Sequence, residues 1–145
     1  MFRFCSRKAF KWLSTPEKHW AEIITSNNKP NIIIGCIYRH PSANMPGFTE
    51  ELKTIIKSLI NRKQHVYIIG DVNINFLRYN ELTNTEDSLN MRYSNNFLPL
   101  ITKPTRLTDH SSTLIDHIYT NAPIQNTTSG IALAEIIENF AKSNI

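Results

Sequence analysis

Two short apolar runs with an amphipathic stretch between them dominate the first half of the chain. Asn31-Ile-Ile-Ile-Gly-Cys-Ile-Tyr38 is nearly continuous in apolar, largely β-branched residues and is bounded by Pro30 and Pro41, which predicts a central strand buried on both faces. Phe48, Leu52, Ile55, Ile56, Leu59 and Ile60 then recur at helical spacing, with Glu50, Glu51, Lys53 and Lys57 on the other side. That stripe predicts an amphipathic helix begun after Pro46. His65-Val-Tyr-Ile-Ile69 reads as a second buried strand ending at Gly70.

Strand, helix and strand in close succession form a βαβ unit, so the two strands are expected to run parallel in one sheet. Parallel strands end at the same sheet edge, where open α/β sheets generally keep their sites. Tyr38 and Arg39 are therefore expected near Asp71 and Asn73.

The flanking patterns are weaker. Trp20-Ala-Glu-Ile-Ile24 alternates as a strand would, and Ser26-Asn-Asn-Lys-Pro30 supplies a hairpin turn after it. Asn80 to Asp87 reads as polar loop and Glu86 to Tyr93 as a weak helix. Leu98 to Thr102 reads as a short strand despite Pro99, and Leu114 to Tyr119 as another, closed by a turn at Asn121-Ala-Pro.

Composition narrows the class without naming a function. The chain has 145 residues, 41% hydrophobic and 19% charged, as one ordinary globular domain would. A net charge of +4 permits a polyanionic partner such as nucleic acid, and it equally fits an ordinary mildly basic surface. Cys5 and Cys36 lie far apart without metal-site spacing, which gives no reason to expect a disulfide framework or a structural zinc and makes a reducing compartment the default. No apolar run approaches the roughly 20 residues needed to cross a bilayer. An intracellular location, cytoplasmic or nuclear and off the membrane, is the expectation.

The chemistry sits at Gly70-Asp71-Val72-Asn73. Gly70 lets the backbone turn where a buried strand exits, and Asp71 and Asn73 point the same way at i and i+2. Asp71 could orient or deprotonate a water, and Asn73 could donate to phosphoryl oxygens as charge builds on them. Taken alone, the tetrapeptide reads as a turn.

Its company changes that reading. Tyr38-Arg-His-Pro41, Gly70-Asp-Val-Asn-Ile-Asn75, Pro99-Leu-Ile-Thr-Lys-Pro-Thr-Arg106 and Ser111-Ser-Thr-Leu-Ile-Asp-His-Ile-Tyr-Thr-Asn121 occur in the order found in one superfamily. Over residues 20–130 the sequence resembles the endonuclease/exonuclease/phosphatase domains of non-LTR, LINE-like retrotransposons. The resemblance implies an α/β fold, a partial four-layered α/β sandwich of the DNase I-like kind with a mixed sheet and without its N-terminal strands. Residues 1–19 would be a basic extension and 131–145 a diverged C-terminal segment.

The resemblance also implies roles. Tyr38 would lie against the scissile phosphate, Asp71 would activate water, Asn73 would steady the phosphorus, and Asp116 would be a second acid near the metal. Mg²⁺ is the implied cofactor, with Asp71 and Asp116 as its ligands, and DNA the implied partner. Thr102 or Thr105 would contact the phosphate region. A lone Asp116 inside an apolar strand would be costly to bury without a partner. His110, which precedes the Leu-Ile-Asp block, reads as loop.

Two features of intact members are expected to be missing: an upstream strand bearing a metal-ligating Glu, and a closing Ser-Asp-His. Glu22 does not take the first place. Ungapped counting puts Ile137-Glu138-Asn139 at the second, and Asn139 cannot shuttle a proton because a carboxamide does not titrate. The expectation is a truncated, inactive relative of a phosphodiester-cleaving endonuclease. The alternatives are a weak residual DNA-nicking enzyme and a non-catalytic nucleic-acid-binding or interaction module. Half a sandwich would also expose an apolar sheet face, open to self-association or completion by another chain.

Overall fold

The helix after the first apolar run returns the chain so that the second run lies beside it. A computed structural model describes residues 18–25, 29–60 and 64–123. In chain order the elements are β1 (Lys18–Ile23), β2 (Ile32–Ile37), α1 (Met45–Ile60), β3 (His65–Asp71), a 3₁₀ turn (Phe76–Arg78), α2 (Thr83–Ser94), β4 (Leu98–Pro99), β5 (Arg106–Thr108), β6 (Ser111–Thr113) and β7 (Asp116–Thr120). Five strands form one mixed sheet in the order β1-β2-β3-β7-β4, with β2 and β3 parallel and the other pairings antiparallel. The pair β5-β6 is a separate two-stranded hairpin.

Asn44 starts α1: its side-chain oxygen accepts from the Gly47 N–H at 2.7 Å, which satisfies one of the free donors of the first turn. Phe48, Leu52, Ile56 and Leu59 are buried along one stripe of the helix. They pack on Ile33, Ile37, Val66 and Ile68 of the sheet, and each such side chain stabilises the fold by about 1.5–3 kcal/mol. At the edge, Lys18 is buried and pairs with Glu51 of α1 at 2.5 Å. Trp20 lies over Gly35 of β2, where a Cβ would fall inside the indole ring.

Helix α2 begins earlier than its sequence pattern predicts, at Thr83 inside the stretch read as loop. Its buried residues are Thr85, Ser88, Met91 and Arg92, so an apolar stripe was never there to be seen. Arg92 is 2% exposed and stands 5.2 Å from the Phe76 ring centroid and 4.8 Å from that of Tyr119. Its Nη1 donates to the Ser88 carbonyl and hydroxyl, each at 2.6 Å.

Other expectations need correcting. β2 is interior to the sheet but β3 is its middle strand, and β2 is not buried on both faces. Ile33, Gly35 and Ile37 are buried, whereas Cys36 on the other face is exposed, because among the described residues both helices lie on one side. Opposite them Ile23, Ile69 and Leu98 are 44%, 36% and 42% exposed. The strand expected at Leu98 to Thr102 pairs as β4 only over Leu98–Pro99, with the Leu100 N–H still donating to Ile118. The strand expected from Leu114 begins at Asp116, because residues 111–113 turn back on 106–108 as a hairpin. The 26–28 part of the expected β1-β2 turn lies outside the described residues, as do Glu138, Asn139 and the expected C-terminal segment.

Candidate functional site

β2 and β3 end at the same sheet edge, with Cys36 beside Ile69. Gly70 follows at φ 154°, and a Cβ there would overlap the Ile37 carbonyl, so only glycine lets β3 pass β2 this closely. Carrying the register on by two residues sets Tyr38 next to Asp71 on the same face, since strand side chains alternate. The Arg39 N–H donates to the Asp71 carbonyl at 3.0 Å and fixes that alignment.

On its other side Asp71 faces Asp116 of β7. The Val72 N–H donates to the Ile115 carbonyl at 3.1 Å, so by the alternation of an antiparallel ladder Asp71 and Asp116 form a non-hydrogen-bonded pair. Such pairs bring Cα atoms to about 4.5 Å and side chains closest together. The Asp116 N–H accordingly points away from β3 and donates to the Thr105 hydroxyl oxygen at 3.2 Å. Tyr38, Asp71 and Asp116 thus stand in a row on the face away from the helices.

The turn beyond β3 is tied tightly. Asp71 Oδ1 accepts from the Asn73 N–H at 2.9 Å, and Asn73 adopts a left-handed φ of 49°, a conformation asparagine tolerates better than most residues. Asn73 Nδ2 donates to the Arg39 carbonyl at 2.8 Å, leaving one amide N–H and the amide oxygen for other partners. Arg39 is 5% exposed, and its guanidinium donates to the carbonyls of Val72, Asn73 and Ala43 at 2.8, 2.8 and 2.7 Å. Burial lowers its pKa from the usual arginine value, and the Asp71 carboxylate opposes that shift.

The structure distributes the candidate residues unevenly. Tyr38 and Asp116 are exposed, while Asp71 and Asn73 are half-buried. Asp116 therefore bears no burial cost, contrary to the concern that its apolar strand raised. Thr105 is the threonine beside the pair: its hydroxyl oxygen also accepts from the Ile115 N–H at 3.3 Å. Thr102 is exposed and makes no such contact with the pair. Glu22 sits opposite Ile33 near the far end of the sheet and accepts from Asn31 and Gln64 at 2.9 and 2.6 Å, so it cannot join the site. His110 is exposed in the β5-β6 turn.

His117, next to Asp116 in sequence, points to the opposite face. It is 3% exposed, its Nε2 lies 3.1 Å from the Ile74 carbonyl oxygen, and its ring packs edge-on to Phe76. Burial pushes its pKa down to about 4, the Ile74 hydrogen bond opposes this, and Arg92 adds to it. A ring that stays neutral in the core cannot serve the carboxylates as an acid or base.

Like charges directly opposite in a sheet repel unless a cation lies between them. Asp71 Oδ2 and both Asp116 side-chain oxygens receive no hydrogen bond from a described residue. Mg²⁺ uses one or two carboxylates and completes its shell with water and substrate oxygens, so the pair fits that ion. No group of three or more His, Cys, Asp or Glu able to hold a metal occurs among the described residues.

No family model and no curated protein matches the sequence. Solved structures do resemble the fold. The endonuclease domain of TRAS1, a telomere-specific non-LTR retrotransposon, superposes with a TM-score of 0.57 at 15% identity, covering 72% of this chain and 50% of that one. An endonuclease/exonuclease/phosphatase family protein from Leptotrichia buccalis C-1013-b matches with a TM-score of 0.44 at 15% identity, covering 72% of this chain and 42% of that one. The chain has the mixed α/β, DNase I-like fold of the TRAS1 domain and spans half of that domain's length. Among the described residues, no helix is long and apolar enough to cross a membrane.

Proposed function

We propose that the chain carries part of a metal-dependent phosphodiester-cleaving site, directed at DNA, and that the site binds metal and phosphate without turning over. The observation that carries this reading is the Asp71–Asp116 pair facing across β3 and β7, with Tyr38 and Asn73 beside it. Asp71 and Asp116 would hold Mg²⁺, which when bound would neutralise charge developing on phosphoryl oxygens. Tyr38 would pack or donate against the phosphate from the exposed end of the row, and the free Asn73 amide N–H would donate to it. The Thr105 hydroxyl, which accepts two backbone N–H groups, still has its own proton to give.

The reading of the site as inactive rests on two histidine positions, neither of which supplies a proton-transferring group. His117 is buried and neutral on the other face, and Asn139, at the place where the resemblance calls for a proton-transferring histidine, does not titrate. A positioned acid or base is worth about 10²–10⁴-fold in rate, so its loss alone would silence a weak site. The test uses the purified chain, Mg²⁺ and supercoiled plasmid, with a short duplex to follow binding. Metal-dependent binding that Asp71→Ala removes, without nicking, is the expected result. Nicking that disappears in Asp71→Ala would overturn the inactivity, and absence of any metal-dependent binding would overturn the site.

The open sheet face favours a second reading, an interaction module. Ile23, Ile34, Ile69, Ile118 and Leu98 line the side away from the helices, and a large exposed apolar patch marks an interface or an aggregation hazard. A second copy of this chain, or a chain supplying the second sheet of the sandwich, would cover it.

A further inference from the structure

We infer that Arg39 is the positioning residue of this site, acting through the turn that carries Asp71 and Asn73 rather than through contact with substrate. The inference rests on the site reading above. Almost every polar group of Arg39 is committed to this region. Its N–H donates to the Asp71 carbonyl, its carbonyl accepts from the Asn73 side chain, and its guanidinium donates to Val72 and Asn73 on one side and to Ala43 on the other. A longer contact at 3.4 Å reaches Pro41.

The guanidinium's partners are backbone carbonyls throughout, and no salt bridge pairs Arg39 with a carboxylate among the described residues. Burying a guanidinium in this way is unfavourable unless its several donors are satisfied together. The planar fork does that, and in doing so it bridges the end of β2, the turn after β3 and the loop that leads into α1. Asn73 is held in a left-handed conformation that residues with a Cβ adopt only at a cost. The reciprocal bonds between Arg39 and Asn73, both 2.8 Å, keep it there and so hold the Asn73 N–H against Asp71 Oδ1, which fixes that carboxylate in place. Lysine concentrates its three donors on one ammonium nitrogen, which cannot reach the separated carbonyls that Nε, Nη1 and Nη2 of Arg39 reach individually.

The experiment compares the full chain with Arg39→Met and Arg39→Lys, using Arg92→Met as a control for loss of a buried arginine elsewhere. Mn²⁺ alone is the probe, measured by calorimetry and by its relaxation of nearby amide signals. Both Arg39 variants are expected to bind Mn²⁺ about tenfold or more weakly, as supporting residues of metal sites do, while Arg92→Met loses thermal stability with Mn²⁺ affinity unchanged. Unchanged affinity in Arg39→Met, or an equal loss in Arg92→Met, would overturn the inference. If the wild-type chain binds no Mn²⁺, the metal reading fails and amide exchange decides the inference instead. Exchange of the Arg39, Val72 and Asn73 amides should then rise about tenfold relative to Val66 in Arg39→Met, and an unchanged ratio would overturn it.

Discussion

Asp71 and Asp116 face each other across β3 and β7 as a non-hydrogen-bonded pair, with the turn that Arg39 ties on one side and the Thr105 hydroxyl on the other. Like charges placed directly opposite in a sheet weaken it, and proteins keep such arrangements where binding requires them. Asp116→Asn is therefore expected to stabilise the metal-free chain by about 0.2–1 kcal/mol, read by urea titration. Mg²⁺ should raise the melting temperature of the wild type and leave that of Asp116→Asn unchanged. A variant less stable than wild type in chelator would show that the two carboxylates do not repel.

His117 predicts the acid limb of stability. Its folded pKa of about 4 lies below the ordinary 6.5, so between those values the unfolded chain binds more protons and stability rises with pH. The contribution is complete above pH 6.5 and is lost as pH falls through 4, on the order of 3 kcal/mol in all. Urea midpoints measured from pH 7.5 to 4 should fall in the wild type. In His117→Phe, which keeps a ring against Phe76, the fall should be shallower. Parallel curves would exclude His117 as the source.

At Gly70 the backbone leaves no room. Gly70→Ala sets a Cβ against the Ile37 carbonyl at a φ that side chains rarely adopt, so a loss larger than the ordinary 1 kcal/mol or so of a glycine replacement is expected. Gly35→Ala should instead displace Trp20 from its seat, which a red shift in tryptophan emission would report. Wild-type stability in Gly70→Ala would mean that β2 and β3 do not approach this closely.

The open face makes a prediction about assembly. Ile69→Lys puts a charge into the middle of that face while leaving the helix-packed core untouched. Sedimentation should show a wild-type chain heavier than a monomer and an Ile69→Lys chain that is monomeric with the same circular dichroism. Identical masses for the two would remove this face as a self-association surface.

The sequence by itself determined the elements whose burial is apolar. β2, β3 and α1 were legible because Ile33, Ile37, Val66 and Ile68 form short β-branched runs and Phe48, Leu52, Ile56 and Leu59 repeat at helical spacing. The expectation that Tyr38 and Arg39 lie near Asp71 and Asn73 needed only the parallel βαβ geometry. Helix α2 was half hidden, since it buries Thr85, Ser88 and Arg92, the last two through a hydrogen bond and a ring contact that hydrophobic patterning does not register. The β5-β6 hairpin was hidden too, its exposed Arg106, Leu107 and Thr108 having no buried face to alternate against.

Only the tertiary structure decided how the chemistry is arranged. Asp71 and Asp116 become neighbours through an antiparallel pairing between strands far apart in sequence, and nothing local encodes that register. The same pairing separates Asp116 from His117: adjacent residues of a strand point to opposite faces, so one carboxylate meets solvent while the imidazole enters the core. Arg39 shows the limit most clearly. In sequence it is a charged residue at a strand end, and its part in the site exists only because folding brings the carbonyls of Val72, Asn73 and Ala43 around one guanidinium plane.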